Sequence, residues 1–184
     1  MNLYLRVLIL FIRSFFKPRL TDILAQSILH FRVLPNDLDV NGHMNNGRYT
    51  TIMDLGRLDL VLRNGLMRVM FKQKCVPVLG AIQMRFRIPL MPFQAYRLES
   101  RVICWDEKWV YMEQQFIIKK GKKSGAAAAI GIVKGGFYDQ NNRQTVPTKD
   151  LLDILGLPSQ SPAFPDYIKH WIEAEDTLKT VTQA

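Results

Sequence analysis

The hydrophobic and polar positions of this chain change their period twice, and each change predicts a different kind of element. The first twenty residues, "MNLYLRVLILFIRSFFKPRL", hold the most apolar segment. Its unbroken apolar run, Val7 to Ile12, is bracketed by Arg6 and Arg13, far short of the roughly 20 apolar residues that a bilayer span needs. A positively charged start and a small-residue cleavage site are both missing, so a signal peptide is not expected either. On a helical wheel Asn2, Arg6, Arg13 and Lys17 fall on one narrow face. That pattern fits a helix lying in a membrane interface with its cations toward lipid headgroups, and equally a helix packed on its own domain or on a second subunit. Pro18 is expected to end it, a helical turn is expected after Thr21 and Asp22, and Leu29 to Pro35 reads as a first strand stopped by proline.

From Asn46 to Asn64 the apolar residues recur at helical spacing: Ile52, Leu55, Leu58 and Leu62, widened by Met53, Leu60 and Val61. A helix so apolar over its surface wants to be enclosed, and Gly65 stands where a helix C-terminal glycine belongs. The period then falls to two. Four strands are predicted, over Ala81 to Leu90, Tyr96 to Asp106, Lys108 to Lys120 and Gly125 to Asp139. Asp106-Glu107 and Lys120-Gly121-Lys122 supply tight hairpin turns, so neighbouring strands should be antiparallel. The small residues from Gly125 to Gly131 mark a strand that something approaches closely. After a Pro-rich stretch a terminal helix is expected from Tyr167 to about Thr180, packing Ile168, Trp171, Ile172 and Leu178. The order is that of an α+β fold, a curved antiparallel sheet wrapped round the long helix, with extra N- and C-terminal helices. It divides into an N-terminal helix (1–20), a central domain (29–145) and a linker with the C-terminal helix (146–184).

Composition narrows the picture. With 184 residues, 48% hydrophobic and 22% charged, the chain is long enough for one domain with a real core. Its two cysteines, Cys75 and Cys104, are read as reduced thiols in a cytoplasmic protein. The net charge of +9 invites nucleic acid, but the basic residues are scattered. They cluster only near the N-terminus, at Arg85/Arg87 and at Lys119 to Lys123, without any nucleic-acid-binding motif. No nucleic-acid partner is therefore expected, which leaves a membrane surface or a phosphorylated small molecule to meet the charge.

Candidate chemistry concentrates in "NDLDVNGHMNNGRYTTIMD", residues 36 to 54. Asp37, Asp39 and His43 look like metal ligands, yet one His without a Cys, and too few oxygens for a hard-cation loop, argue against any metal. Asn45 or Asn46 suits a helix N-cap, Asp37 suits a turn brace, and His43 suits a residue that holds the loop. What remains is catalytic. A helix N-terminus presents unpaired N–H groups and partial positive charge to an oxygen becoming negative, and Asp39 opposite it could serve as general base or nucleophile. Gly42 would let a substrate oxygen come close.

Residues Asn36 to Arg57 resemble the D-x-D-x-x-G-H-x-N-N-x-x-Y signature of hotdog-fold acyl-CoA thioesterases of the 4-hydroxybenzoyl-CoA thioesterase class. Together with "CWDEKWVYMEQQF", Cys104 to Phe116, the loop is similar to the thioesterase superfamily member 6 group and its bacterial relatives. The resemblance implies a hotdog fold and hydrolysis of an acyl-CoA thioester to free acid and coenzyme A, in lipid metabolism. It makes Asp39 the base or nucleophile and the backbone N–H of Asn46 the oxyanion donor. Gly42, His43, Asn45 and Tyr49 become substrate-binding or loop-shaping positions, and Asp54 the reserve carboxylate, for which an ion pair with Arg57 is the structural alternative. It further implies a homodimer or dimer of dimers with the site between subunits, and no cofactor, coenzyme A being part of the substrate. The pantetheine arm would run along Gly125 to Gly131, with Arg85, Arg87 or the Lys119–Lys123 turn meeting the phosphates. The competing reading is a non-catalytic acyl-thioester binder or membrane-docked scaffold, and the N-terminal helix (1–18) allows peripheral contact with the inner membrane face. Hotdog dehydration of a 3-hydroxyacyl thioester matches in fold only, since "GHMNN" lacks the proline context of those enzymes.

Overall fold

A computed structural model describes residues 2–182; Met1, Gln183 and Ala184, and with them the extreme ends of the two terminal segments, lie outside the described residues. The elements run α1 (Asn2–Ser14), β1 (Ser27–Arg32), α2 (Asn46–Arg63), α3 (Leu66–Gln73), β2 (Cys75–Phe86), β3 (Ala95–Trp105), β4 (Val110–Ile118), β5 (Ala127–Asp139), β6 (Gln144–Val146), α4 (Thr148–Leu155) and α5 (Asp166–Thr182). The fold is α+β, and every strand pairing in its single sheet is antiparallel. Strand order is β1-β3-β4-β5-β2, with β6 beside the end of β5. Register shifts between Leu79 and Ala81, Val102 and Cys104, and Phe116 and Ile117 interrupt the ladders, and such bulges bend and twist a sheet.

The helix α2 lies on one face of this sheet and carries the core. Tyr49, Ile52, Met53 and Leu55 are buried and pack with Leu98, Phe116, Ala129 and Val133. Contact is close at two glycines. A Cβ on Gly56 would sit 2.3 Å from the Ser100 hydroxyl, and one on Gly131 would sit 2.5 Å from the Met53 methyl. The close approach expected at the small-residue strand is therefore made, at Gly131, by the chain's own Met53 on the helix and Met84 on β2. Local chemistry sets both ends of α2: the Asn45 side chain accepts the Gly47 N–H at 2.8 Å, and Gly65 follows in the left-handed region at φ 85°.

Several expectations are corrected. The helix α1 ends at Ser14, four residues before Pro18, and the segment after Thr21 is a turn, held by the Leu24 N–H on the Asp22 carboxylate. The first strand is displaced to Ser27–Arg32 and stops short of Pro35. Strand β2 starts at Cys75, six residues before the predicted Ala81, and runs through Pro77. A proline is tolerated there because β2 is an outer strand with one unpaired edge. The short elements α3, β6 and α4 were not predicted, since eight residues or fewer carry too little periodicity. On the opposite sheet face α5 buries Ile168 against Cys104 and Tyr111, with Trp171 and Ile172 beside it. Its stripe turns polar at Glu175, 3.5 Å from Lys134, and Leu178 one turn further is exposed.

Of the alternatives open for α1, the structure shows packing on its own domain. Leu3, Val7 and Leu10 join the main core, and Arg6 turns inward with them. The Arg6 guanidinium lies 2.6 Å from buried Asp37, and Lys17 lies 3.1 Å from buried Asp59. Two of the four residues assigned to lipid headgroups are thus ion-paired within the protein, while Arg13 remains exposed and the side chain of Asn2 is outside the described part. The outward face is apolar instead: Leu5, Leu8, Ile9, Ile12, Phe15 and Phe16 are all exposed. A charge bracketed by apolar residues finds its partner by long-range packing, which helical periodicity does not encode.

Candidate active site

The polar loop enters α2 through a set of short-range bonds. A bridge between Leu38 and Met44 pins its base, the Met44 N–H donates to the Leu90 carbonyl at 2.9 Å, and the Asn45 N–H donates to the Asp37 carbonyl at 2.8 Å. Inside that frame the Asp39 N–H donates to the His43 carbonyl at 2.9 Å and the Gly42 N–H to the Asp39 carbonyl at 3.1 Å. Gly42 takes φ 72°, a left-handed turn conformation that suits glycine.

The two acids of D-x-D have different surroundings. Asp37 is fully buried. Its Oδ2 accepts Arg6 at 2.6 Å and the Leu34 N–H at 2.9 Å, and its Oδ1 accepts Arg48 at 3.1 and 2.9 Å. Burial pushes its carboxyl up, but the Leu34 N–H and the two guanidiniums outweigh this and hold it below the usual carboxylate range. It braces the loop. Asp39 is partly exposed; its Oδ1 accepts the Asn41 N–H at 2.9 Å, and its Oδ2 stands 3.4 Å from His43 Nδ1. This carboxylate carries no Arg or Lys partner among the described residues and faces the loop tip, where Val40 is fully solvent-exposed.

At the start of α2 the Asn45 side chain takes the Gly47 N–H, and the Arg48 N–H returns to the Asn45 carbonyl at 2.9 Å. The Asn46 N–H between them donates to none of the described residues, so it is an open donor at the positive end of an 18-residue helix. The cap is Asn45, one of the two asparagines considered. Tyr49, assigned to substrate by the resemblance, instead lies in the core at 2% exposure, with ring centroids 5.2 Å from Phe86 and 4.9 Å from Phe116. Asp54 is ion-paired with Arg57, whose guanidinium also donates to Gln114 at 3.0 Å. Gln114 in turn donates to the Met53 carbonyl and to Ser100, at 2.9 and 2.8 Å. Arg85 and Arg87 are exposed at the end of β2 and just beyond it, and Lys119 to Lys123 form an exposed turn. Neither cysteine suits nucleophilic attack, since burial raises Cys75 and pushes Cys104 up to about 11.

Two residues that build the site, Arg6 and Arg48, were missed as parts of it. Arg48 follows the signature asparagines by two positions, a signal that was available. Arg6 is 31 residues from its partner in sequence, and nothing local points to it.

Further along α2 the structure encloses an apolar cavity of about 380 Å³ between the helix, α3, α4 and the sheet. Asp54 and Arg57 line it toward the N-terminal side of α2, and Val61, Met70, Val133 and Leu152 are among its apolar walls.

Residues 33–172 match the thioesterase-like superfamily. The chain is similar to Protein THEM6 of Danio rerio, at 31% identity over 169 residues, 92% of this chain and 80% of that protein. It is also similar to "Probable thioesterase YBR096W" of Saccharomyces cerevisiae, at 30% identity over 151 residues, 81% of this chain and 60% of that one. Among solved structures, that of the YbaW "Probable Thioesterase" from Escherichia coli superposes with a TM-score of 0.64 at 19% identity, covering 70% of this chain and 95% of that one. At such identity the likeness speaks for the fold, which is the hotdog arrangement expected from the loop signature. A match over most of the chain, with a relative above 30% identity, is decisive for kinship: the chain belongs to the thioesterase-like superfamily and is, in class, a thioester hydrolase.

Proposed function

We propose that this chain hydrolyses an acyl-CoA thioester at the N-terminus of α2. The observation that carries the reading is the pairing, within one braced loop, of the Asp39 carboxylate and the open Asn46 N–H. As base, Asp39 takes a proton from water while the water oxygen adds to the thioester carbonyl carbon. Negative charge gathers on the carbonyl oxygen, where the Asn46 N–H and the helix dipole stabilise it. Collapse then breaks the C–S bond, and coenzyme A leaves as the thiolate and takes up the proton. Direct attack by Asp39 instead expels coenzyme A and leaves a mixed anhydride, which water then hydrolyses to the free acid, restoring the carboxylate. His43 and Asn45 shape the loop, Gly42 leaves room for substrate, and Asp54 stands in reserve. The chemistry calls for no metal or separate cofactor.

In this reading a second copy of the chain completes the site. The outer edge of β2, where Leu79 and Phe86 are exposed, offers a surface for it, and exposed Arg85 and Arg87 suit the phosphates of coenzyme A. The outward face of α1 supports a further contact, with an anionic membrane. Its exposed leucines and phenylalanines would enter the interface, helped by Arg13, Arg19 and the net charge of +9. Among the described residues no helix is long and apolar enough to cross a bilayer. Co-sedimentation with phosphatidylglycerol vesicles tests it: Leu8→Glu with Phe15→Glu should release the protein, and undiminished binding would end this part of the reading.

The central experiment is steady-state hydrolysis of an acyl-CoA panel by wild type and Asp39→Asn. Saturable turnover that falls by about 10²–10⁴ in the variant is expected. Acyl-CoA binding without turnover in either protein would favour the binding-module alternative.

A further inference from the structure

The cavity along α2 has no assigned occupant, and its walls define one. Its α2 wall is the stripe Asp54, Arg57, Leu58, Val61 and Asn64, and the remaining walls come from α3, α4 and strands β2 to β5. Of the four polar residues in the lining, three are already engaged. Asp54 and Arg57 hold each other, Arg57 also holds Gln114, and Asn64 accepts the Leu66 N–H at 3.0 Å. Only the buried Thr148 hydroxyl is without a partner among the described residues. A group bearing several hydroxyls or a carboxylate would lose its water here against walls that are mostly apolar, where polar partners are few. An alkyl chain loses nothing by entering.

Position agrees with composition. Asp54 follows Asn46 by eight residues, which at the rise of an α-helix puts the charged pair about 12 Å down the axis from the open N–H. The Asp54 side chain is 60% exposed, so this end of the cavity meets solvent, while Leu151 and Leu152 at the α4 wall are buried. A thioester whose carbonyl rests at the helix N-terminus would direct its acyl tail toward this opening. The volume lies within the range of sites that enclose small-molecule ligands.

We infer that this cavity receives the hydrocarbon chain of an unbranched fatty acyl group of medium to long length, and discriminates against hydroxylated aromatic acyl groups. The inference rests on the thioesterase reading for its account of how the chain arrives, but the cavity can be tested without it. Two substitutions fill it from opposite walls. Val61→Trp projects from α2, and Gly135→Leu from β5, where an added Cβ would meet only the Met112 methyl at 3.4 Å and the Val78 carbonyl at 3.6 Å.

The measurement is kcat/KM for straight-chain acyl-CoAs from four to sixteen carbons and for 4-hydroxybenzoyl-CoA, alongside calorimetric binding of free lauric acid. The wild type should gain roughly fourfold per added methylene until the cavity is full. Each filling variant should cut the long-chain to short-chain ratio at least tenfold and weaken laurate binding in proportion. A flat chain-length profile, a preference for the aromatic ester, or a ratio untouched by both variants would overturn the inference. If no ester is hydrolysed, the thioesterase reading fails by itself. Laurate binding that both variants weaken would then uphold the cavity, and absence of laurate binding would remove it.

Discussion

The two ends of α2 solve opposite problems. At its N-terminus a loop with many polar side chains is tied down by directional bonds. Beyond its middle an apolar space is walled mainly by side chains that have no directional preference. Reaction needs a carboxylate and a donor held in a fixed relation, because misplacement of either reduces transition-state stabilisation. Holding a hydrocarbon needs only volume and the exclusion of water. The N-terminal end therefore spends one acid, Asp37, entirely on rigidity and leaves the other, Asp39, without an Arg or Lys partner among the described residues.

The sharpest way to break that division is to exchange the fates of the two acids. Asp37→Asn leaves two guanidiniums facing a neutral amide in a buried site and should cost about 3–5 kcal/mol of stability, read by chemical denaturation. Asp39→Asn should keep stability within about 1 kcal/mol while removing turnover, because its carboxylate accepts only one backbone N–H at a partly exposed tip. Equal destabilisation by the two changes would refute the assignment of brace and base.

A second, smaller effect is in pH. The Asp37 carboxyl is lowered in the folded state, so its stabilisation is fully present above the ordinary unfolded value of about 3.9. It should be lost as pH falls through the lowered folded value. The acid limb of the stability profile should flatten in Asp37→Asn, and an unchanged limb would mean that other carboxylates govern acid unfolding.

The smallest effect belongs to the cavity. Thr148→Val removes a buried hydroxyl with no protein partner while keeping the shape, so thermal unfolding should move upward by about 1 kcal/mol in stability. A loss instead would show that the hydroxyl is bonded in solution, through water or ligand.

What could be read without coordinates follows the range of each interaction. The bounds of α2, the Asn45 cap and Gly65 come from contacts a few residues apart, and strand alternation comes from burial of one face, so both leave a mark in the local pattern. The D-x-D loop was legible as a candidate site for the same reason. The short elements α3 and α4 were not, although both wall the cavity, because eight residues barely establish a period. The direction of α1 was also hidden. Its wheel groups the cations on one face, but which residues turn inward depends on Asp37, 31 residues from Arg6, and the segment after the helix is held by Asp59, 42 residues from Lys17.

By itself, then, the sequence determined the α+β class, the long helix with its caps, and the loop that carries the candidate chemistry, since turn geometry, capping and amphipathic period are local physics. Only the tertiary structure decided that the Asp37 brace is buried against Arg6, that Tyr49 lies in the core and which apolar residues of α1 face solvent. It also decided that a space shaped for a hydrocarbon chain opens beside α2. Each of these depends on groups far apart in the chain meeting in a place from which water is excluded, where an ion pair or a void takes its meaning from what surrounds it.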